Sequence, residues 1–441
     1  MTDRFYPSAF TSWGRIHRKT YPAGHPRYRD EIEPLLSTRN ARAMLAVGLG
    51  RSYGDSVLND GGCLINMTAL DRIISFDPET GVLRAEAGLS LDAALAMIVP
   101  HGWYFATTPG TRYVTLGGAI ANDVHGKNHH SAGTFGCSVR RLGLLRSDGL
   151  EHDLGPESGD LFAATIAGLG LTGVITWAEV GLVRIPSAFL EVERIPFGNT
   201  ADFFQLAAEA ASTHEHTVAW IDCANGGRSL GRGIFQRGNW LAGVGFSTPP
   251  ARNRSMPVEL PSAALNALSV RAFNTFYFRL QKAGPPVARE HFSTFFYPLD
   301  AIANWNRLYG RRGFYQYQCV VPPAAAEQAV PELIKQIARA GAGSFLAVLK
   351  TLGERPSPGL LSFPLPGATL ALDFPNRGAS TVDLLARLDS VVLEAGGRLY
   401  PAKDGRMSAL MFRAGYAAVL PAFVAQVDPA FSSDFWRRVA A

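Results

Sequence analysis

"AVGLGRSYGDS", Ala46–Ser56, is the stretch on which the fold turns. Its glycines, Gly48, Gly50 and Gly54, stand one residue out of register for GxGxxG. In a doubly wound nucleotide fold such a loop opens a helix, whose N-terminal amides hold a pyrophosphate. Here "DSVLNDGGC", Asp55–Cys63, follows without any helical period, so the loop is expected to join strand to strand. The literal GxGxxG, "GLGLTG" at Gly168–Gly173, comes after a helical "DLFAATIA" and before a strand-like "VITWAEVGLV", the reverse of the required order. Both stretches argue against a Rossmann unit. Glycines without a helix can still curl the backbone so that successive amides face an anion, and a pyrophosphate suits such a nest. For this segment alone a plain glycine-rich turn is an equal reading.

Around the loop, "AMLAVG" and "CLINMT" read as short apolar strands, and "RIISFDPETGVLRAEAG" as two strands about an Asp-Pro-Glu-Thr-Gly turn. "LSLDAALAMIVPHG" reads as a helix capped by Ser90, with Leu91, Ala94, Leu95 and Ile98 on one face. The region is mixed α and β.

A second glycine-rich stretch, Thr108–Val139, carries Gly110, Gly117, Gly118, Gly126, Gly133 and Gly136 among small residues, so backbone can approach a flat ligand closely. His125, His129 and His130 raise a zinc reading, because histidines at i and i+4 share a helix face. Gly126 and Ser131-Ala132-Gly133 argue against that helix and no carboxylate completes the set, so no metal is expected. Packing or hydrogen-bonding histidines are the plain alternative to contact with a ligand.

Composition bounds the class. The chain has 441 residues, 47% hydrophobic and 18% charged, which suits a globular protein of two domains, one interrupting the other. No apolar run reaches the roughly 18 residues of a membrane span, and "MTDRFYPSAF" lacks a signal peptide's pattern, so the cytoplasm is expected. Cys63, Cys137, Cys223 and Cys319 lie far apart and read as reduced thiols. The net charge of +5 comes from scattered Lys and Arg, so no nucleic-acid partner is expected, while an anionic substrate or acidic membrane surface stays open.

In the middle region "VAWID", "YQYQCVVP", "SFLAVLK" and "TLALDFP" read as strands of one antiparallel sheet, with "EQAVPELIKQIARAGA" a helix covering one side. The aromatic runs "NTFYFRLQ" and "HFSTFFYPLD" read as sheet core.

Taken together, "GLGRSYGDS", "PGTRYVTLGGAIANDVHGKNHHSAGTFG", "GLTGVI", "YQYQ" and "GGRLYPAKDGR" resemble the decaprenylphosphoryl-β-D-ribose 2′-oxidase family, within the vanillyl-alcohol-oxidase type of flavoproteins. The similarity runs from about Arg15 to Arg438, and "HGKNHHSAG" is far longer than a generic glycine motif. It implies an α+β fold: a PCMH-type FAD-binding domain over 1–188, a substrate-binding domain with an antiparallel sheet over 189–397, and a return to the first domain over 398–441. By the same resemblance the first loop cradles the FAD pyrophosphate through Gly48, Gly50, Arg51, Ser52, Tyr53, Gly54, Asp55 and Ser56. Gly110, Thr115, Leu116, Gly117, Gly118, Asn122, Asp123, Val124 and His125 line the flavin, Val174 or Ile175 meets the adenine, and Tyr400 contacts the ring. Relatives that tether the flavin often place histidine where this loop has Arg51, so noncovalent FAD is expected.

Oxidising a secondary alcohol takes a proton from oxygen and a hydride from carbon, and a nearby cation favours the charge that develops. The resemblance makes Lys403 that cation and sets His125 between flavin and sugar, orienting the sugar or moving its proton. Gln316, Gln318 and Lys350 match polar pocket positions, and Trp220 a pocket wall. The implied reaction oxidises the 2′-hydroxyl of a polyprenyl-phosphoryl-β-D-ribose to the 2′-keto sugar. A nicotinamide-dependent short-chain reductase would complete the epimerisation to the arabinose donor, at the inner face of the membrane. An aldonolactone or alditol oxidase of the same superfamily, and a flavin-binding protein without turnover, are the rival readings.

Overall fold

A computed structural model describes residues 4–38, 42–247, 254–261 and 264–440. Part of the "MTDRFYPSAF" segment, Met1–Asp3, therefore lies outside the described residues.

Three of the four sheets among the described residues frame the site. The first orders the strands Tyr6–Thr11, Arg18–Gly24, Cys63–Asn66 and Met44–Val47, with the last three parallel. The Ala46–Ser56 loop thus leaves one strand and, after a three-residue 3-10 turn at Asp55–Val57, returns to its parallel neighbour without a helix. The second sheet orders Ile73–Asp77, Val82–Glu86, Val174–Arg184, Val139–Leu145 and Glu151–Leu154, with Trp103–Phe105 also paired to Val174–Arg184. Ser90 caps the helix Leu91–Ile98, its hydroxyl accepting from Ala93 N at 3.1 Å.

The third sheet has eight strands, all antiparallel: Val287–His291, Phe189–Phe197, Gly233–Trp240, His216–Ile221, Ala347–Leu352, Gly367–Pro375, Phe314–Val321 and Arg398–Leu399. Strand alternation gives it two unlike faces. Tyr317, Cys319, Val321, Leu349, Leu370 and Leu372 pack on the helices Thr200–Ala210, Pro323–Arg339 and Ala379–Glu394, forming the largest core. Helix Pro323–Arg339 buries Ala326, Ala329, Val330, Leu333, Ile334 and Ile337, the spacing of one helical stripe. The opposite face carries Gln316, Gln318, Lys350, Thr369 and Asp373, an unusual number of polar groups for a sheet interior.

Past Arg398–Leu399 the chain turns back to the first sheet. Met44 N donates to Ala430 O at 2.7 Å, and Arg438 pairs with Asp55 at 2.6 Å.

Two aromatic runs expected as sheet core are helical. "NTFYFRLQ" lies in a helix, Ala267–Ala283, because Asn266 and Ser269 form a capping box and no Gly or Pro interrupts the run before Gly284. "HFSTFFYPLD" forms the short helix Phe292–Phe296, with Phe292, Phe295, Phe296 and Tyr297 packed in the core beside Tyr104. One helical turn, His129–Ala132, forms in the histidine-rich segment, while His125 stays outside it in a bridge to Thr134. Cys137, Cys223 and Cys319 are free thiols. Among the described residues no group of His, Cys, Asp or Glu could hold a metal ion, and no single helix is long and apolar enough to cross a membrane.

Candidate active site

Where the polar face of the large sheet looks across at the two glycine-rich stretches, a cavity opens that encloses about 1780 Å³ including its mouth. Its wall runs from Gly48–Tyr53 and Ser56, through Gly110, Thr115, Gly117, Gly118, Asn122, Val124 and His125, to Gln316, Gln318, Lys350, Tyr400 and Lys403. Ile175 faces the same space.

The glycine-rich side is made of backbone held close to backbone. A Cβ on Gly48 would stand 2.4 Å from Thr115 Oγ1, the hydroxyl that caps the next helical turn by accepting from Gly118 N. Glycine is therefore required for the two stretches to meet. Ser56 Oγ and Arg51 Nε, both buried in residues of this wall, have no protein partner. Arg51 lies 4.0 Å over the Trp13 ring, and burial lowers its pKa. A curled, amide-rich loop with an unpartnered hydroxyl and a guanidinium fits a phosphate-bearing dinucleotide such as FAD.

The sheet side is made of side chains. His125 is buried; Lys350 Nζ stands 3.3 Å from its Nδ1, and the Gln318 amide 3.0 Å from its Nε2. The Gln318 amide nitrogen also donates to Thr369 Oγ1 at 3.2 Å. Burial first, and then the charge of Lys350, push the His125 pKa well below its ordinary value. The imidazole is neutral, with both nitrogens engaged.

Lys350 also donates to Gly126 O at 3.0 Å, and burial brings its pKa down to about 7. Lys403 lies 4.0 Å over the Tyr53 ring; burial lowers its pKa to about 8, opposed by the attraction of Asp373. Asp373 escaped the sequence reading. It accepts from Gln316 Nε2 at 2.7 Å, and burial raises its pKa to about 7. As it lies behind Gln316 and off the wall, it positions that amide and supports the Lys403 charge. The signal available in sequence was its place in "TLALDFP", two residues along the strand from wall residue Ala371 and so on the same face.

Several positions expected on the wall lie elsewhere. Gly54 faces the turn that carries Lys403: its Cβ would stand 1.4 Å from Asp404 O, while Tyr53 N donates to Ala402 O at 3.0 Å. Asp55 belongs to the same lacing, since Arg438 bridges it to Asp404. Leu116 and Val174 point into hydrophobic core. Asp123 is buried beneath the segment, accepting from Gly136 N and from Ser357 and Ser362. Trp220 pairs in register with wall residue Val348 but turns to Tyr277, at 4.8 Å, and donates to Phe345 O. Trp13, Asp300 and Trp305 line the cavity without any motif to announce them.

A family model described as "FAD binding domain" matches residues 26–155. The decaprenylphosphoryl-β-D-ribose oxidase of Mycolicibacterium smegmatis is 38% identical over 419 residues, covering 90% of this chain and 89% of that protein. The L-gulonolactone oxidase of Mus musculus is 29% identical over 143 residues, 32% of each chain. A putative D-arabinono-1,4-lactone oxidase of Neurospora crassa is 27% identical over 187 residues, 42% of this chain and 32% of that one.

Proposed function

This chain belongs to the decaprenylphosphoryl-β-D-ribose oxidase family of FAD-binding oxidoreductases, and from that membership we propose that it oxidises the 2′-hydroxyl of a polyprenyl-phosphoryl-β-D-ribose to the 2′-keto sugar. It is an FAD-dependent oxidoreductase with an α+β, PCMH-type FAD-binding fold, acting on a sugar hydroxyl. The observation that carries the finer reading is the set of polar groups gathered around a buried neutral histidine, two amides and Lys350 on the sheet face with Lys403 on the turn beyond it.

Bound FAD supplies the acceptor for the hydride that leaves the carbinol carbon. Backbone of Gly48–Tyr53 and the Ser56 hydroxyl hold its pyrophosphate, and the stretch from Thr115 to His125, with Tyr400, lines its ring. Arg51 cannot form a histidyl bond, so the flavin is held noncovalently. Gln316 and Gln318 bind sugar hydroxyls, and Lys350 receives a hydroxyl or the phosphate. Lys403, charged, stabilises negative charge on the carbinol oxygen. His125, with both nitrogens engaged, orients the sugar and the Gln318 amide. Residues 1–188 and 398–441 hold the flavin, with His125 and Lys403 reaching to the sugar, and 189–397 supply the rest of the substrate site.

The product ketone requires a nicotinamide-dependent short-chain reductase to complete the epimerisation, and a prenyl substrate places the reaction at the inner membrane face. Anaerobic mixing with a short prenyl-phosphoryl ribose should bleach the oxidised flavin band, and the arabinose epimer should not. Bleaching by an alditol or aldonolactone alone would move the assignment to that class of oxidase; no bleaching by any of them would leave a flavin-binding protein without turnover.

A further inference from the structure

The helix Ala267–Ala283 has one face anchored and one face bare. Inward, Val270 and Asn274 are buried, and the Asn274 amide donates to Asp222 Oδ1 at 3.0 Å and to Ser344 O at 3.1 Å. Outward, Leu268, Phe276 and Leu280 are 77%, 65% and 55% exposed, and Phe273 beside them 45%. With Ala272 these residues recur every four positions, so they form one continuous stripe. Single exposed apolar side chains are ordinary, but a stripe of them on one helix is not.

The charges beside the stripe have one sign. Arg271, Arg279 and Lys282 are exposed, helical spacing puts them together on one flank, and the helix contains no Asp or Glu. An apolar stripe with a cationic border is the pattern of a helix that lies in a bilayer surface, its side chains among acyl chains and its cations at phosphate headgroups. A second copy of this chain fits less well, because a symmetric contact would set these cations against their own image with no acid on the helix to pair them.

The position of the helix gives the pattern a purpose. Tyr277 packs on Trp220, whose register partner Val348 lines the cavity. Phe273 meets Phe345 at 5.8 Å, Phe345 meets Tyr309, and Tyr309 meets cavity residue Trp305. An aromatic path therefore connects the bare helix to the cavity wall.

We propose that the helix Ala267–Ala283 docks the protein on an anionic bilayer, with Leu268, Phe276 and Leu280 inserted and Arg271, Arg279 and Lys282 against the headgroups, so that a lipid-linked substrate reaches the cavity while its tail stays in the membrane. This rests on the lipid-linked substrate proposed above.

The experiment is co-sedimentation of the full-length flavin-loaded protein with vesicles of phosphatidylglycerol and phosphatidylcholine, and with phosphatidylcholine alone. Wild type should pellet with the anionic vesicles and release as salt rises. F276D/L280D and R279E/K282E should each lower partitioning by about tenfold or more. Both should keep the wild-type melting temperature and the wild-type rate of flavin bleaching by a short, water-soluble prenyl-phosphoryl ribose, since these side chains face solvent. Wild type that stays in the supernatant, or variants that pellet as well as wild type, would overturn the docking. So would a wild-type dimer that F276D/L280D splits without changing vesicle binding, which makes this face a contact between copies. Vesicle binding that behaves as expected, with no bleaching by the short substrate, sinks the proposed reaction and leaves the docking standing.

Discussion

The two sides of the cavity are built from different chemistry. The glycine-rich side presents backbone, and its residues matter mainly for the side chains they lack: Gly48 exists so that Thr115 can stand where a Cβ would be. Facing it are side chains whose protonation is set by burial: Lys350 on the large sheet at about 7, Lys403 on the turn beyond the last strand at about 8, and His125, which reaches in from the second glycine-rich stretch, well below its ordinary value. One side holds through shape and fixed dipoles, with little dependence on pH. The other acts through charges kept marginal by their surroundings, so it is sensitive to pH and to single neighbours. Binding and chemistry are thereby separable by mutation.

The sharpest break of that contrast is expected from Gly48→Val. Its side chain collides with Thr115 and enters the loop, so flavin should be absent after gel filtration and all turnover with it. Flavin recovered in the supernatant after acid precipitation reads occupancy. Wild type that keeps its flavin in the pellet would contradict noncovalent binding, and a loaded Gly48→Val would contradict the cradle.

Next comes Lys403→Ala, which should keep FAD but slow flavin reduction by on the order of 100-fold or more, the usual cost of removing a preorganised electrostatic partner. Lys403→Arg should rescue poorly, because a planar fork does not replace a compact ammonium. Stopped-flow reduction at the wild-type rate would make Lys403 a bystander. The pH profile sharpens the role: a cation is lost as pH rises through about 8, so the rate should fall there. A rate that climbs through pH 8 would make the neutral amine the working form.

The smallest effect belongs to Asp373→Asn. Asp373 attracts the Lys403 charge and raises its pKa, so removing that carboxylate should move the alkaline limb to lower pH. The expected shift is about one pH unit or less, with a roughly threefold fall in rate at pH 7.5 and FAD binding unchanged. An unmoved limb would reduce Asp373 to the packing of Gln316.

Local chemistry was legible. Glycine spacing without a following helix pointed to a strand-to-strand loop, and the chain runs so between Met44–Val47 and Cys63–Asn66. The alternation in "YQYQ" placed Gln316 and Gln318 on one face. The aromatic helix Ala267–Ala283 was missed because its aromatic run was read as sheet core, although its cap and helical period were in the sequence.

What an isolated segment fixes is its own backbone path and which residues share a face; what that face meets depends on chain hundreds of residues away. His125 finds Gln318 across a sequence separation of 193 and Lys350 across 225. Gly54 reads as one more cradle glycine until the turn carrying Lys403 is brought against it. Asp373 reads as a strand residue until the sheet buries it near a lysine. Composition and spacing thus determined the loops and faces of this protein, while burial decided protonation, because desolvation and charge proximity are properties of the assembled volume and not of any segment.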